Sequence, residues 1–216
     1  MEDKICNLIK SFFDKKINKI CPNKEEQCDF QYEIYNEFSL QHELGIYLRE
    51  VLGNEYKILF EKNVKYICEE KYKDYDDWQK KEIDIVVLKQ VDKKWVPLYA
   101  LELKFPPNEA YPKRMSHFIE DMKFMEQVKA RCTFEKTYCL TLTNNPNFYS
   151  DKNGRIKNTG IYCYFRNNNI VVPPNEKITC NKKNKTVDIV LDKIHKTYWQ
   201  TIRNSKNVKY YIDIIK

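Results

Sequence analysis

Between residues 29 and 52 apolar side chains return every three or four positions. Placed at about 100° per residue, Ile34, Phe38, Leu40, Leu44, Tyr47, Leu48, Val51 and Leu52 fill one continuous half of a helix circumference. Gly45 falls inside that half, where a missing side chain allows close approach to a sheet, and Gly53 ends the helix. Residues 2–20 predict a shorter amphipathic helix that stops before Cys21-Pro22. From Glu55 to Ile67 the pattern becomes that of a strand, followed by a charged excursion over residues 69–80. Glu82–Leu88 (EIDIVVL) and Trp95–Phe105 (WVPLYALELKF) predict two further strands joined by the polar Asp92-Lys93-Lys94. Both strands are apolar on both faces, as in strands covered from each side. A loop bounded by Pro106, Pro107 and Pro112 leads into a helix over 112–130, with Met115, Phe118, Met122 and Met125 on one stripe. Residues 137–143 (TYCLTLT) and Ile161–Phe165 predict strands, and short strands follow beyond residue 169, the last being Tyr210–Ile215. The expected fold class is α/β: a central mixed sheet flanked by helices, in one domain over 1–216. Its core would span about residues 33–145, with a β-rich extension over 146–216.

Composition changes this picture little, but the charge distribution adds to it. The net charge is +7, with 38 basic and 31 acidic residues. Only six of the basic residues are Arg, a lysine-rich bias that an AT-rich genome would itself produce. Residues 1–80 carry 13 basic against 17 acidic side chains, a net of −4, whereas residues 132–216 carry 15 against 6, a net of +9. The C-terminal third is therefore a candidate for contact with phosphate, with Lys182, Lys183 and Lys185 as its densest cluster. The competing reading is a solvated lysine-rich face. Eight cysteines are present, yet no two lie within the two-to-four-residue spacing of a zinc knuckle, and none is next to one of the three histidines. The expectation is reduced thiols in a cytoplasmic protein. No apolar run reaches the ~18 residues of a membrane span.

Seven acid-x-Lys tripeptides occur, at Glu2, Asp14, Glu55, Glu69, Asp92, Glu102 and Asp121. The one at Glu102 stands apart because it lies inside Leu98-Tyr99-Ala100-Leu101-Glu102-Leu103-Lys104-Phe105. Glu102 and Lys104, two residues apart on a strand, point to the same face. Burying them costs several kcal/mol unless something compensates. Asp84 repeats the anomaly inside Ile83-Asp84-Ile85-Val86-Val87. With a three-residue loop pairing Val91 with Trp95, Asp84 falls opposite Glu102 and Lys104 opposite Glu82. Two carboxylates ~5 Å apart repel by about 3 kcal/mol at an effective dielectric of about 20. A divalent cation would turn that repulsion into binding, and oxygen-only ligands favour Mg²⁺ or Mn²⁺. A buried acid–lysine ion pair is the plainer alternative, and two acids in consecutive strands weigh against it.

These residues resemble the PD-(D/E)XK nuclease superfamily, the restriction-endonuclease-like fold, over about residues 33–145. Asp84 matches the motif's Asp on the second strand, and Glu102-Leu103-Lys104 its Glu-x-Lys on the third. Ile83 stands where the motif has proline, and Arg131 stands where one branch of the family would put Tyr after Gln127. The resemblance implies an αβββαβ core and a metal-dependent endonuclease that hydrolyses nucleic-acid phosphodiesters, DNA before RNA. Asp84, Glu102 and the Leu103 carbonyl would hold the ion. Glu43 would assist from the preceding helix, with Glu33 and Glu37 as rivals, and Lys104 would orient the attacking water. Restriction or anti-phage defence follows by analogy, and cutting both strands of a duplex would call for a homodimer. The alternatives are a nuclease-fold subunit that binds nucleic acid without turnover, and a plain interaction protein.

Overall fold

The first two helices start where side chains cap them. The computed structural model describes residues 3–21, 31–68, 80–106, 111–150, 160–166, 171–182, 185–203, 205 and 207–216. Asp3 accepts from the N–H groups of Ile5 and Cys6 and opens α1 (Lys4–Lys16). Helix α2 (Glu37–Leu52) begins at a capping box, in which Asn36 Oδ1 accepts from Ser39 N–H and Ser39 Oγ from Asn36 N–H. The helix expected from residue 29 therefore starts later. Residues 31–36 run instead beside residues 19–21, with Ile20 and Ile34 bridged. Phe38, placed by spacing in the buried half, is 70% exposed on the first turn of α2.

Among the described residues ten strands follow: β1 (Tyr56–Asn63), β2 (Glu82–Val91), β3 (Lys94–Lys104), β4 (Lys136–Thr143), β5 (Val171–Val172), β6 (Lys177–Lys182), β7 (Lys185–Val190), β8 (His195–Lys196), β9 (Gln200–Thr201) and β10 (Lys209–Ile215). Helix α3 (Tyr111–Arg131) makes the crossover from β3 to the parallel β4. The central sheet is mixed, in the order β1-β2-β3-β4-β10-β9, and two small two-stranded sheets, β5-β8 and β6-β7, lie apart from it. The chain is thus α/β, and its C-terminal strand completes the main sheet. The strand expected over 161–165 is instead a 3₁₀ turn, Gly160–Tyr164, with Phe165 beyond it packed edge-on to Phe118 of α3.

Helices α1 and α2 cover one face of the sheet, with Ile9, Phe12, Leu44 and Leu48 packed on Ile85, Leu101 and Leu140. Helix α3 covers the other, with Met115, Phe118, Met122 and Met125 against Val86 and Ala100. Gly45 meets the sheet as expected: a Cβ there would lie 2.1 Å from Phe60 Cζ of β1.

Two features depart from the expectations. Cys68 and Cys132 are 64 residues apart yet form a disulfide, with Cα atoms 4.3 Å apart, and Cys21 is also disulfide-bonded. The expectation of reduced thiols is corrected at Cys21, Cys68 and Cys132, the last two because the fold brings the segment after β1 to the end of α3, while Cys6, Cys139 and Cys163 carry thiols. Second, His195 is fully buried between two acids, its Nδ1 2.5 Å from Asp213 of β10 and its Nε2 2.9 Å from Glu126 of α3. Glu126 also accepts from the N–H groups of Asp192 and Lys193, tying α3 to the C-terminal strands. Burial alone would lower the imidazole's proton affinity, but the two carboxylates raise it to about 9. Among the described residues no helix is long and apolar enough to cross a membrane.

Candidate active site

The β2–β3 hairpin sets the geometry. Asp92 and Lys93, with φ of 48° and 63°, make a two-residue turn in which Val91 pairs with Lys94. The expected three-residue loop is therefore wrong by one. A bulge then compensates: Leu88 faces Pro97 but Val87 faces Tyr99, so Leu98 is the extra residue. Beyond it Ile85 pairs with Leu101, where the ladder ends; continued by one step, the same register puts Asp84 across from Glu102, whose proton affinity the Asp84 charge raises. The acids meet as the sequence suggests, although the register reaches them by another route. Glu82 is exposed, and Lys104 turns to other partners.

At Asp84 the side chain takes over from the backbone ladder. Its Oδ2 accepts from Leu103 N–H at 2.6 Å, and its carbonyl accepts from Gln41 Nε2 at 2.7 Å. Gln41, buried on α2, also donates to Glu61 of β1. Lys104 Nζ lies at the centre of the acids. It donates to the Leu103 carbonyl at 2.9 Å and stands 3.2 Å from Glu37, 3.4 Å from Glu102 and 3.6 Å from Asp121. The second carboxylate oxygen of Glu37 accepts from Phe105 N–H.

Two of these residues change the expected set. Glu43 is bound to Lys16 of α1 at 2.8 Å, with His42 beside it, and Glu33 is bound to Lys16 and Lys19. The helix acid at this site is Glu37, one of the two rivals, because α1 packs on the flank of α2 that carries Glu43. Asp121, on the inward side of α3, did not figure among the expected site residues. Of the lysines proposed to hold nucleic acid, Lys182 and Lys185 pair at the β6–β7 turn, and Lys183 lies outside the described residues.

The electrostatics follow from burial. Desolvation pushes Asp84 up to about 7, against the pull of Lys104 and Leu103 N–H. It pushes Asp121 up to about 6, and Glu102 well above the ordinary range with help from the neighbouring Asp84 and Asp121. Burial by itself would lower Lys104, but Asp121, Glu102, Glu37 and Asp84 hold it above its usual value. Four carboxylates against one ammonium leave the cluster short of positive charge. Glu102 Oε2 is buried with no hydrogen-bond donor among the described residues, and Asp121 Oδ2 has none either, although Lys104 faces it. An all-oxygen set with an orphaned carboxylate oxygen suits a hard divalent cation. As arranged, however, no three His, Cys, Asp or Glu side chains among the described residues stand close enough to hold a metal ion.

The cluster opens into a cavity of about 200 Å³ lined by Glu37, Lys104, Pro106, Arg114, His117 and Phe118. Its outer wall is the first turns of α3. No family model, no curated protein and no solved structure matches this chain.

Proposed function

We propose that the chain is a metal-dependent nuclease of the PD-(D/E)XK kind, hydrolysing phosphodiester bonds of nucleic acid. The observation that carries this reading is the meeting of Asp84 and Glu102 on adjacent strands with Lys104 two residues on, in a buried cluster that lacks positive charge. The element order supports it: helix, three antiparallel strands, crossover helix and a strand parallel to the third. Asp84, Glu102 and the Leu103 carbonyl would hold Mg²⁺ or Mn²⁺, with Asp121 as a further donor. The ion would supply neutralisation of phosphate charge and a more acidic bound water. Lys104 would orient the attacking water and donate to the phosphoryl oxygens, where an ammonium in a dry site is strongest. Glu37 stands in for Glu43 as the helix acid of the site, but where Glu43 was expected to assist at the ion, Glu37 holds the Lys104 head group. The basic β6–β7 hairpin is a candidate contact for the nucleic-acid backbone.

A second reading has its own observation. Lys104 already pairs with Glu37, Glu102 and Asp121, so a buried ion-pair network in a nuclease-fold binding subunit would look much the same. Cleavage separates the two. Plasmid and labelled single-stranded substrates, incubated with Mg²⁺ or Mn²⁺, should be cut by the wild type and spared in EDTA. Lys104→Met should lower the rate by roughly 100-fold or more while Ca²⁺ affinity is kept. A wild type that cuts nothing with either ion, or a Lys104→Met variant that cuts at the parent rate, overturns the nuclease reading.

A further inference from the structure

Beside the acidic cluster the molecule carries two groups that its packing does not use. One is Arg114 on α3. Its Nε is buried at the cavity wall with no hydrogen-bond acceptor among the described residues, although a guanidinium N–H removed from water ordinarily finds one. The cavity is shared with Lys104, so two cationic side chains border it, with Glu37 as the acid of the cluster on its wall. A phosphate group satisfies a fork of N–H donors as few other ligands do.

The other is Phe38, on the first turn of α2 and next in sequence to Glu37, which lines the same cavity. An amphipathic helix normally turns such a ring inward, yet Phe38 is 70% exposed while Leu40, Leu44 and Leu48 of the same helix are fully buried. One turn on, the exposed His42 presents its ring parallel to that of Phe38, within 10° and with centroids 6.4 Å apart. The two offer flat π faces to solvent on the same helix as Glu37, the acid that lines the cavity. Exposed aromatic faces beside cationic groups bind unpaired bases, because every base has a face to stack and a duplex hides it.

We propose that the substrate is a single-stranded nucleic acid, with one phosphate in the cavity against Arg114 and a neighbouring base stacked on the Phe38–His42 ring pair. This rests on the nuclease reading for what happens to the strand, but binding tests it without turnover. Fluorescence anisotropy is measured with a labelled 12-nucleotide single strand and with the same strand in a duplex, in EDTA and in Ca²⁺. The wild type should bind the single strand about ten-fold or more tightly than the duplex. Phe38→Ala should lose roughly ten-fold of single-strand affinity with its melting temperature unchanged, since the ring is exposed, and Phe38→Trp should restore it. Arg114→Ala should lose a similar factor and Arg114→Lys less. Equal affinity for single strand and duplex, or a Phe38→Ala variant within two-fold of the parent, overturns the inference and leaves the nuclease reading standing. Single-strand preference lost in Phe38→Ala, from a wild type that never cuts, keeps the binding site and removes the nuclease.

Discussion

At the scale of single residues, the Asp84–Glu102 pair makes the protein pay in stability for its site. Desolvation raises Asp84 in the folded state to about 7 from an ordinary value of 3.8, so the folded protein binds the proton more tightly than the unfolded chain does. Metal-free stability should accordingly fall as pH rises from about 4 through 7. Asparagine at this position keeps an acceptor for Leu103 N–H but carries no charge. Asp84→Asn should therefore melt a few degrees above the wild type at pH 8 without metal and lose most of the stabilisation that Ca²⁺ gives the parent. Thermal melts of both proteins with and without Ca²⁺ check this; a less stable mutant and no Ca²⁺ effect on the parent would mark a plain ion-pair network. Asp84, Glu102 and Lys104 were legible in the sequence because a charge inside an apolar strand is an anomaly without any tertiary knowledge. Glu37 was legible only in part, since choosing it over Glu43 needs the packing of α1. Asp121 left a faint trace. It borders the stripe of α3, about 40° from Met125 on a helical wheel, but an acid there looks like an ordinary rim residue until the strand end beneath it is known.

At the scale of elements, local periodicity carried most of the fold. Helices α2 and α3 and strands β2, β3 and β4 lie close to where the spacing of apolar residues puts them, because each buries a long regular face. What failed was set by single side chains or by distant partners. The Asn36–Ser39 capping box moved the start of α2 to Glu37. The bulge at Leu98 restored a register that the shorter turn had shifted. The apolar run at 161–165 closes into a 3₁₀ turn, with Phe165 packed on α3. The Cys68–Cys132 bond joins positions whose separation gave no hint of contact. The contact between α2 and β1 is the most constrained of these packings. Phe60 occupies the space above Gly45, and Arg49 lies over the same ring at 5.1 Å. Gly45→Ala should destabilise by about 1–3 kcal/mol through overpacking, read as a lower urea midpoint with an unchanged slope. A Phe60→Val partner substitution should recover part of the loss; full stability in Gly45→Ala alone would contradict this account.

At the scale of the whole molecule, a single buried imidazolium couples three parts of the chain. His195 is held by Glu126 of α3 and Asp213 of β10, and Lys123 adds its charge to Glu126 at 3.4 Å. Its proton affinity in the folded state is raised from 6.5 to about 9. The stability it contributes is therefore full below pH 6.5 and is lost as pH climbs through about 9, an amount on the order of a few kcal/mol. Denaturant titrations at pH 6.5 and 9.5 should show a loss in the wild type that His195→Gln lacks; equal pH dependence in both would mean the charge is not shared in this way. The sequence hinted at this as well, since Glu126 falls inside the Met115–Met125 stripe of α3, about 20° from Met115, but its partner lies 69 residues away. The position of β10 also matters for how the chain is made. The last strand fills a place beside β4 in the middle of the sheet order. Residues 144–208 must be synthesised before it exists. At about 5–20 residues per second that delay is several seconds, during which the nascent chain holds a buried strand with one edge unpaired. Until β10 has been made, the exposed edge of β4 is a place where neighbouring nascent chains can pair, and slower translation lengthens that exposure.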